Sequence, residues 1–128
     1  MSEKYRIAIP SEGQGGMDGQ RSGHFGHCAV FTLIDVEEGQ ISEISILPNV
    51  SHVQGGCMVP VNLLADNQVN KLVVGGIGMR PLMGFRSVGI DVYYDAERAD
   101  IRPVVEDLIQ GKLPVIGDDQ VCGGGHGH

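Results

Sequence analysis

Lys71-Leu72-Val73-Val74-Gly75-Gly76-Ile77-Gly78-Met79-Arg80-Pro81 is the stretch on which the fold turns. Its first four residues read as a short buried strand, with Leu72, Val73 and Val74 as its apolar run. Glycine then breaks the run, and Pro81 suits the first turn of a helix, where its missing N–H leaves no hydrogen bond unmade. A strand handed over to a helix through glycine is the pattern of an α/β protein. The flanking segments repeat it. Cys57 to Asn67 carries Val59, Val61, Leu63, Leu64 and Ala65 at helical spacing, with Pro60 in the first turn. Pro81 to Val88 reads as a short helix stopped by Gly89, and Ile90-Asp91-Val92-Tyr93-Tyr94 as a further strand. Asp100 can cap a last helix running to about Gln110, with Ile101, Val104, Val105, Leu108 and Ile109 on its apolar face and Gly111 as its stop.

The first half has a different pattern. Tyr5 to Pro10 is a short apolar strand, and Ala29 to Val36 is a β-rich run apolar enough to be mostly buried. Glu37-Glu38-Gly39-Gln40 reads as a hairpin turn. Ile41 to Leu47 follows with apolar residues at 41, 44 and 46, an imperfect alternation suited to an edge strand. The order β-β-β-α-β-α-β-α implies a mixed five-stranded sheet with helices on its faces. The last two strands are expected parallel to the first. The loops 11–28 and 75–80 would then open on one edge, where such sheets bind ligands. Ser11 to Gly23 is polar, holds five glycines and has no periodicity, so it is expected to contribute nothing to the core. One domain over residues 1–112 is expected, followed by a flexible Gly/His-rich tail over 113–128.

Composition narrows the function. Hydrophobic residues at 41% and charged residues at 20% are those of an ordinary globular domain. No apolar run reaches the roughly 20 residues of a membrane span, and the N-terminus lacks a signal peptide's apolar stretch. A net charge of −7 without a Lys/Arg cluster argues against nucleic acid. The three cysteines cannot all pair within one chain, and with no export signal they read as thiols or ligands in a reducing cytoplasm.

Ser22-Gly23-His24-Phe25-Gly26-His27-Cys28 places two imidazoles and a thiol within five residues of a glycine-rich loop. These are borderline and soft metal donors, candidates for iron, an iron–sulfur cluster or zinc. The plainer reading is two loop histidines and a structural cysteine at a strand start. His52 and Cys57 form a second pair whose spacing fits no compact zinc knuckle, so any shared site must be assembled from two loops. Cys57, at a helix start, is placed where the helix dipole favours a thiolate. Gly75, Gly76 and Gly78 with Arg80 can form an anion cradle, or simply a tight turn; the G-K-[S/T] ending of a P-loop is absent. Cys122, His126 and His128 offer further soft donors on the tail. Catalytic constellations are thin. Ser11 and Ser22 lack a nucleophile elbow, and Asp35 falls toward the edge opposite the histidine loop, away from Asp18 and Asp95. No enzyme is expected.

Ala8-Ile9-Pro10-Ser11, Gly16-Met17-Asp18, the H-F-G-H-C run at 24–28, His52…Gly55-Gly56-Cys57 and Val73 to Arg80 together resemble the dinitrogenase iron–molybdenum cofactor biosynthesis family, of the NifX/NafY and NifB C-terminal type. The resemblance covers roughly residues 5 to 110. It implies a ribonuclease-H-like three-layer α/β fold. It also implies a carrier for an iron–sulfur or iron–molybdenum cofactor precursor, working with metallocluster donor and acceptor proteins as a monomer or weak homodimer. By motif, His24, His27, Cys28, His52 and Cys57 would be the metal ligands, and Ser22, the glycine loop and Arg80 would line the site. A simple metal ion is the alternative cargo. An anion- or nucleotide-binding regulatory module using the Gly75–Gly78 loop is the alternative function.

Overall fold

A strand that receives neighbours on both sides must be apolar on both faces, and β1 (Lys4–Ser11) is, with Ile7, Ala8 and Ile9 fully buried. The computed structural model describes residues 4–22, 28–48, 58–75, 77–95 and 99–116, with residues 58–60 described by backbone alone. After β1 come β2 (Val30–Glu37), β3 (Gln40–Pro48), α1 (Met58–Asp66), β4 (Lys71–Val74), α2 (Met79–Ser87), β5 (Asp91–Tyr94) and α3 (Ile101–Ile109). The expected order of elements is the observed one. The sheet order is β3-β2-β1-β4-β5. β2 runs antiparallel to β1 and to β3, while β4 is parallel to β1 and β5 to β4. The architecture is therefore α/β with a mixed five-stranded sheet.

Period-two alternation sorts the strands onto two cores. Ala8, Phe31, Leu33, Leu72, Val74 and Val92 face one side, where Val61 and Leu64 of α1 and Leu82 and Phe85 of α2 pack on them. Ile7, Ile9, Ile34, Val36 and Val73 face the other side, under Ile101, Val104, Val105 and Leu108 of α3. Full burial of each such side chain contributes about 1.5–3 kcal/mol.

β3 is an edge strand, as its pattern suggested. A shift in register between Asp35 and Val36 pairs Glu43 with Asp35 but Ile41 with Val36, leaving Ser42 as the extra residue. That bulge accounts for the odd 41–44 spacing, because it returns Ile41 to the face of Ile44 and Ile46. All three isoleucines remain exposed, at 38–42%.

Two expectations are corrected. Residues 12–22 are not a layer outside the core: Met17 is 7% exposed and belongs to the α3-side core, while Ser11, Arg21 and Ser22 are buried. The backbone ties the segment down, Arg21 N–H donating to Ala99 C=O and Ile101 N–H to Gly19 C=O. Nor does the packed chain stop at residue 112. Ile116 is 2% exposed in the α1/α2-side core, its N–H donates to Val92 C=O, and Tyr94 N–H donates to Pro114 C=O. Residues 113–116 thus lie along β5, and the rest of the expected tail lies outside the described residues. Among the described residues no helix is long and apolar enough to cross a membrane.

Candidate functional site

Parallel pairing of β1 with β4 (Ile7 with Lys71, Ala8 with Leu72) brings the C-terminal ends of these strands to one edge. Both ends of the His24/His27 stretch are fixed there. Ser22 N–H donates to Pro10 C=O at 2.8 Å, and Ala29 N–H donates to Ser11 C=O at 3.2 Å. Consecutive residues of β1 thus hold Ser22 and Ala29, the anchored residues on either side of the stretch. Ser11 Oγ in turn hydrogen-bonds Thr32 Oγ1 at 2.7 Å and donates to Ile9 C=O at 2.7 Å, so the anchor itself is braced in the interior.

Beside this anchor lies a buried charge pair. Arg21 is 8% exposed and Asp95 is 6% exposed. Asp95 N–H donates to Val74 C=O at 3.0 Å, which sets the carboxylate at the end of β4. Arg21 Nη1 donates to Ser22 C=O at 3.4 Å. The guanidinium rests on the bare Cα of Gly75: a Cβ there would collide with Nη1 and lie 3.1 Å from Cζ. Burial lowers the pKa of Arg21, while the charge on Asp95 and, less strongly, that on Tyr94 act to raise it.

The glycine loop therefore meets an arginine, but not the expected one. Arg80 sits exposed in the first turn of α2, whose N-cap is Gly78. The sequence reading passed over Arg21 because a basic residue in a polar glycine-rich segment looks solvated. Its place directly before Ser22 and the histidine stretch was the available signal. Arg102, at the same end of α3, bonds Asp18 at 2.9 Å.

Of the proposed metal ligands only Cys28 lies within the described residues. It is a thiol at 5% exposure, within the core cluster that holds Ala8, Phe31, Val74, Ile77 and Leu82. Its sulfur thus belongs to the inner wall of this edge, not to its surface. Gly75, Gly78 and Ser22 stand at the same edge. His24, His27, His52, Cys57 and Gly76, and Cys122, His126 and His128 of the tail, lie outside the described residues. Among the described residues no three His, Cys, Asp or Glu side chains are grouped to hold one metal ion. The three aspartates are dispersed. Asp35 accepts from Arg6 at 2.6 and 3.2 Å near the opposite edge, Asp18 bonds Arg102 at the surface, and Asp95 is buried beside Arg21.

The sequence matches the family described as dinitrogenase iron–molybdenum cofactor over residues 3–111. The uncharacterized protein MJ0580 of Methanocaldococcus jannaschii is 30% identical over 110 residues, covering 84% of this chain and 88% of that one. Among solved structures, PH0822 is 29% identical with a TM-score of 0.73, covering 88% of this chain and 97% of the other. The apo form of the orange protein from Desulfovibrio gigas is 26% identical with a TM-score of 0.76, covering 91% and 97% respectively.

Proposed function

We propose, since the chain belongs to the dinitrogenase iron–molybdenum cofactor family, that it binds a metallocluster precursor and carries it between assembly proteins. The cargo is an iron–sulfur or iron–molybdenum cluster, and the protein is a cytoplasmic carrier, not a catalyst. The observation that supports this most directly is the double anchor of the histidine stretch on Pro10 and Ser11. A loop whose ends are pinned to adjacent residues of a rigid strand can offer His24 and His27 from one place at the sheet's ligand-binding edge. Cys28 would supply a ligand from the inner wall, and His52 and Cys57 would supply the second loop's share. Ser22, Gly75, Gly76 and Gly78 would line the site with small groups that let a bulky cluster approach the backbone. Ligands drawn from separate loops suit a cargo that must leave by ligand exchange better than a closed tetrahedral set does. The family also supports a ribonuclease-H-like kinship for the mixed sheet.

The test is anaerobic reconstitution with iron and sulfide, read by metal content and visible absorption. Wild type should take up iron stoichiometrically and show thiolate-to-iron charge-transfer bands. His24→Ala/His27→Ala and Cys28→Ala/Cys57→Ser should each lose most of both. Wild type that stays colourless and metal-free, with iron–sulfur and with a preformed molybdenum-containing cluster alike, would overturn the reading.

A further inference from the structure

A buried arginine beside a buried aspartate is ordinarily a brace between two segments, and Arg21 does join the loop before Ser22 to the end of β5. Three features go beyond a brace. First, the pair sits at the edge where β1 and β4 end together: Arg21 forms a β-bridge with Ser11 of β1, one of the two anchors of the histidine stretch, and Asp95 N–H donates to Val74 C=O of β4. Second, the guanidinium is seated on Gly75, the first residue of the glycine loop, and only the lack of a Cβ makes room for it. Third, the protein carries a net charge of −7, so an anion reaching this edge needs a local cation. Among the described residues, Arg80 at this end is exposed and therefore well screened, and Arg102 is bonded to Asp18. Arg21, out of water, is the cation whose attraction is least screened.

We infer that the Arg21–Asp95 pair, seated on Gly75, is a binding seat for a compact tetrahedral dianion. Arg21 is the recognising group, and Asp95 is the counter-charge that the ligand displaces. The planar fork of a guanidinium matches two oxygen or sulfur atoms of such an ion. Burial lowers the pKa of Arg21 and the charge on Asp95 opposes that shift, so a neighbouring anion, more than water, holds the guanidinium charged here. The shared ligand chemistry is that of a tetrahedral oxo- or thio-anion, whether of molybdenum or an ordinary inorganic one such as sulfate. The inference deepens the cargo reading and rests on it for the place where cargo sits.

The opposite signs of the two charges provide the test. Sodium molybdate and sodium sulfate are titrated into the full chain, with binding read by equilibrium dialysis and by the rise in Tm that a ligand of the folded state produces. Wild type should bind at least one of the two ions. Arg21→Gln should weaken that binding about tenfold or more, and its Tm should no longer respond. Asp95→Asn should bind more tightly than wild type, and the ion should raise its Tm by more, because the ligand now supplies the missing negative charge. Arg80→Ala should bind as wild type does. Should Arg21→Gln fail to fold, Asp95→Asn and Arg80→Ala decide alone. Weaker binding in Asp95→Asn would mark the pair as a structural brace and overturn the inference. So would loss of binding in Arg80→Ala, or no binding of either ion by wild type. Preference for molybdate assigns the metal anion as the source, and equal affinity assigns a general oxyanion seat; both support Arg21. Iron uptake in the reconstitution experiment does not depend on these outcomes, so failure here leaves the carrier reading standing, while failure there removes it independently.

Discussion

At the scale of single residues, the buried pair sets the largest effects. Removing either member leaves the other charge buried with its main electrostatic partner gone, which costs about 3–5 kcal/mol, whereas replacing both with apolar groups of similar volume is often nearly neutral. Arg21→Met and Asp95→Leu should therefore each be strongly destabilising in urea denaturation, and the double variant should recover most of the loss. Additive losses would show that the two side chains do not interact. Tyr93 yields a prediction of a different kind. Burial, and then the charge on Asp91, raise its pKa above the ordinary value of about 10. The folded state therefore favours the protonated phenol. Its contribution is fully present below the ordinary pKa and is lost as pH rises from there through the raised one. Tyr93→Phe should flatten the alkaline limb of stability above about pH 10 and leave the neutral region's slope unchanged. An alkaline limb identical to wild type would sink the assignment.

At the scale of elements, the helix ends follow one pattern with one exception. α3 ends with Gly111 at φ 76°, its N–H donating to Leu108 C=O and that of Lys112 to Asp107 C=O. α2 ends in the same way, with Gly89 at φ 84°, its N–H donating to Arg86 C=O and that of Ile90 to Phe85 C=O. Both glycines were legible as stops, because only glycine enters this left-handed region without strain. α1 makes the equivalent pair of bonds, Gln68 N–H to Ala65 C=O and Val69 N–H to Leu64 C=O, but with Gln68 at φ 64°. A side chain there costs about 1–2 kcal/mol, partly offset by the greater freedom glycine has when unfolded. Gln68→Gly should stabilise the protein by about 0.5–1 kcal/mol, seen as a higher Tm, and Gly111→Gln should do the reverse. Equal Tm values for wild type and Gln68→Gly would mean the left-handed turn carries no strain. Elements were otherwise well marked in the sequence, since alternation and helical spacing come from the packing faces themselves. β3 was the harder case: a bulge inserts one residue, and a pattern counted in twos cannot register it.

For the whole molecule, the strand order and the meeting of β1 with β4 followed from connection rules, which depend on chain geometry and not on any particular contact. The candidate site was less legible. His24, His27 and Cys28 announce themselves by residue type, but burial does not: Arg21 and Met17 read as members of a polar loop, and Asp95 as one of three scattered carboxylates. The boundary at residue 112 was misplaced for the same reason, since Leu113 to Ile116 has no periodicity and takes its structure from β5. That boundary can be tested directly. Ile116 is 2% exposed, and the segment closes two backbone hydrogen bonds to β5, Ile116 to Val92 and Tyr94 to Pro114. Burying the isoleucine contributes about 1.5–3 kcal/mol, and each hydrogen bond adds about 0.5–1.5 kcal/mol net. Ordering four residues of chain offsets part of this gain. A chain ended after Lys112 should therefore be less stable than one ended after Ile116 by about 2 kcal/mol, through a lower urea midpoint. The removed segment also takes Ile116 out of the α1/α2-side core, so the shorter chain should expose apolar surface and bind a hydrophobic dye. Equal midpoints for the two truncations would place the boundary back at residue 112 and reduce the contact along β5 to an accessory one.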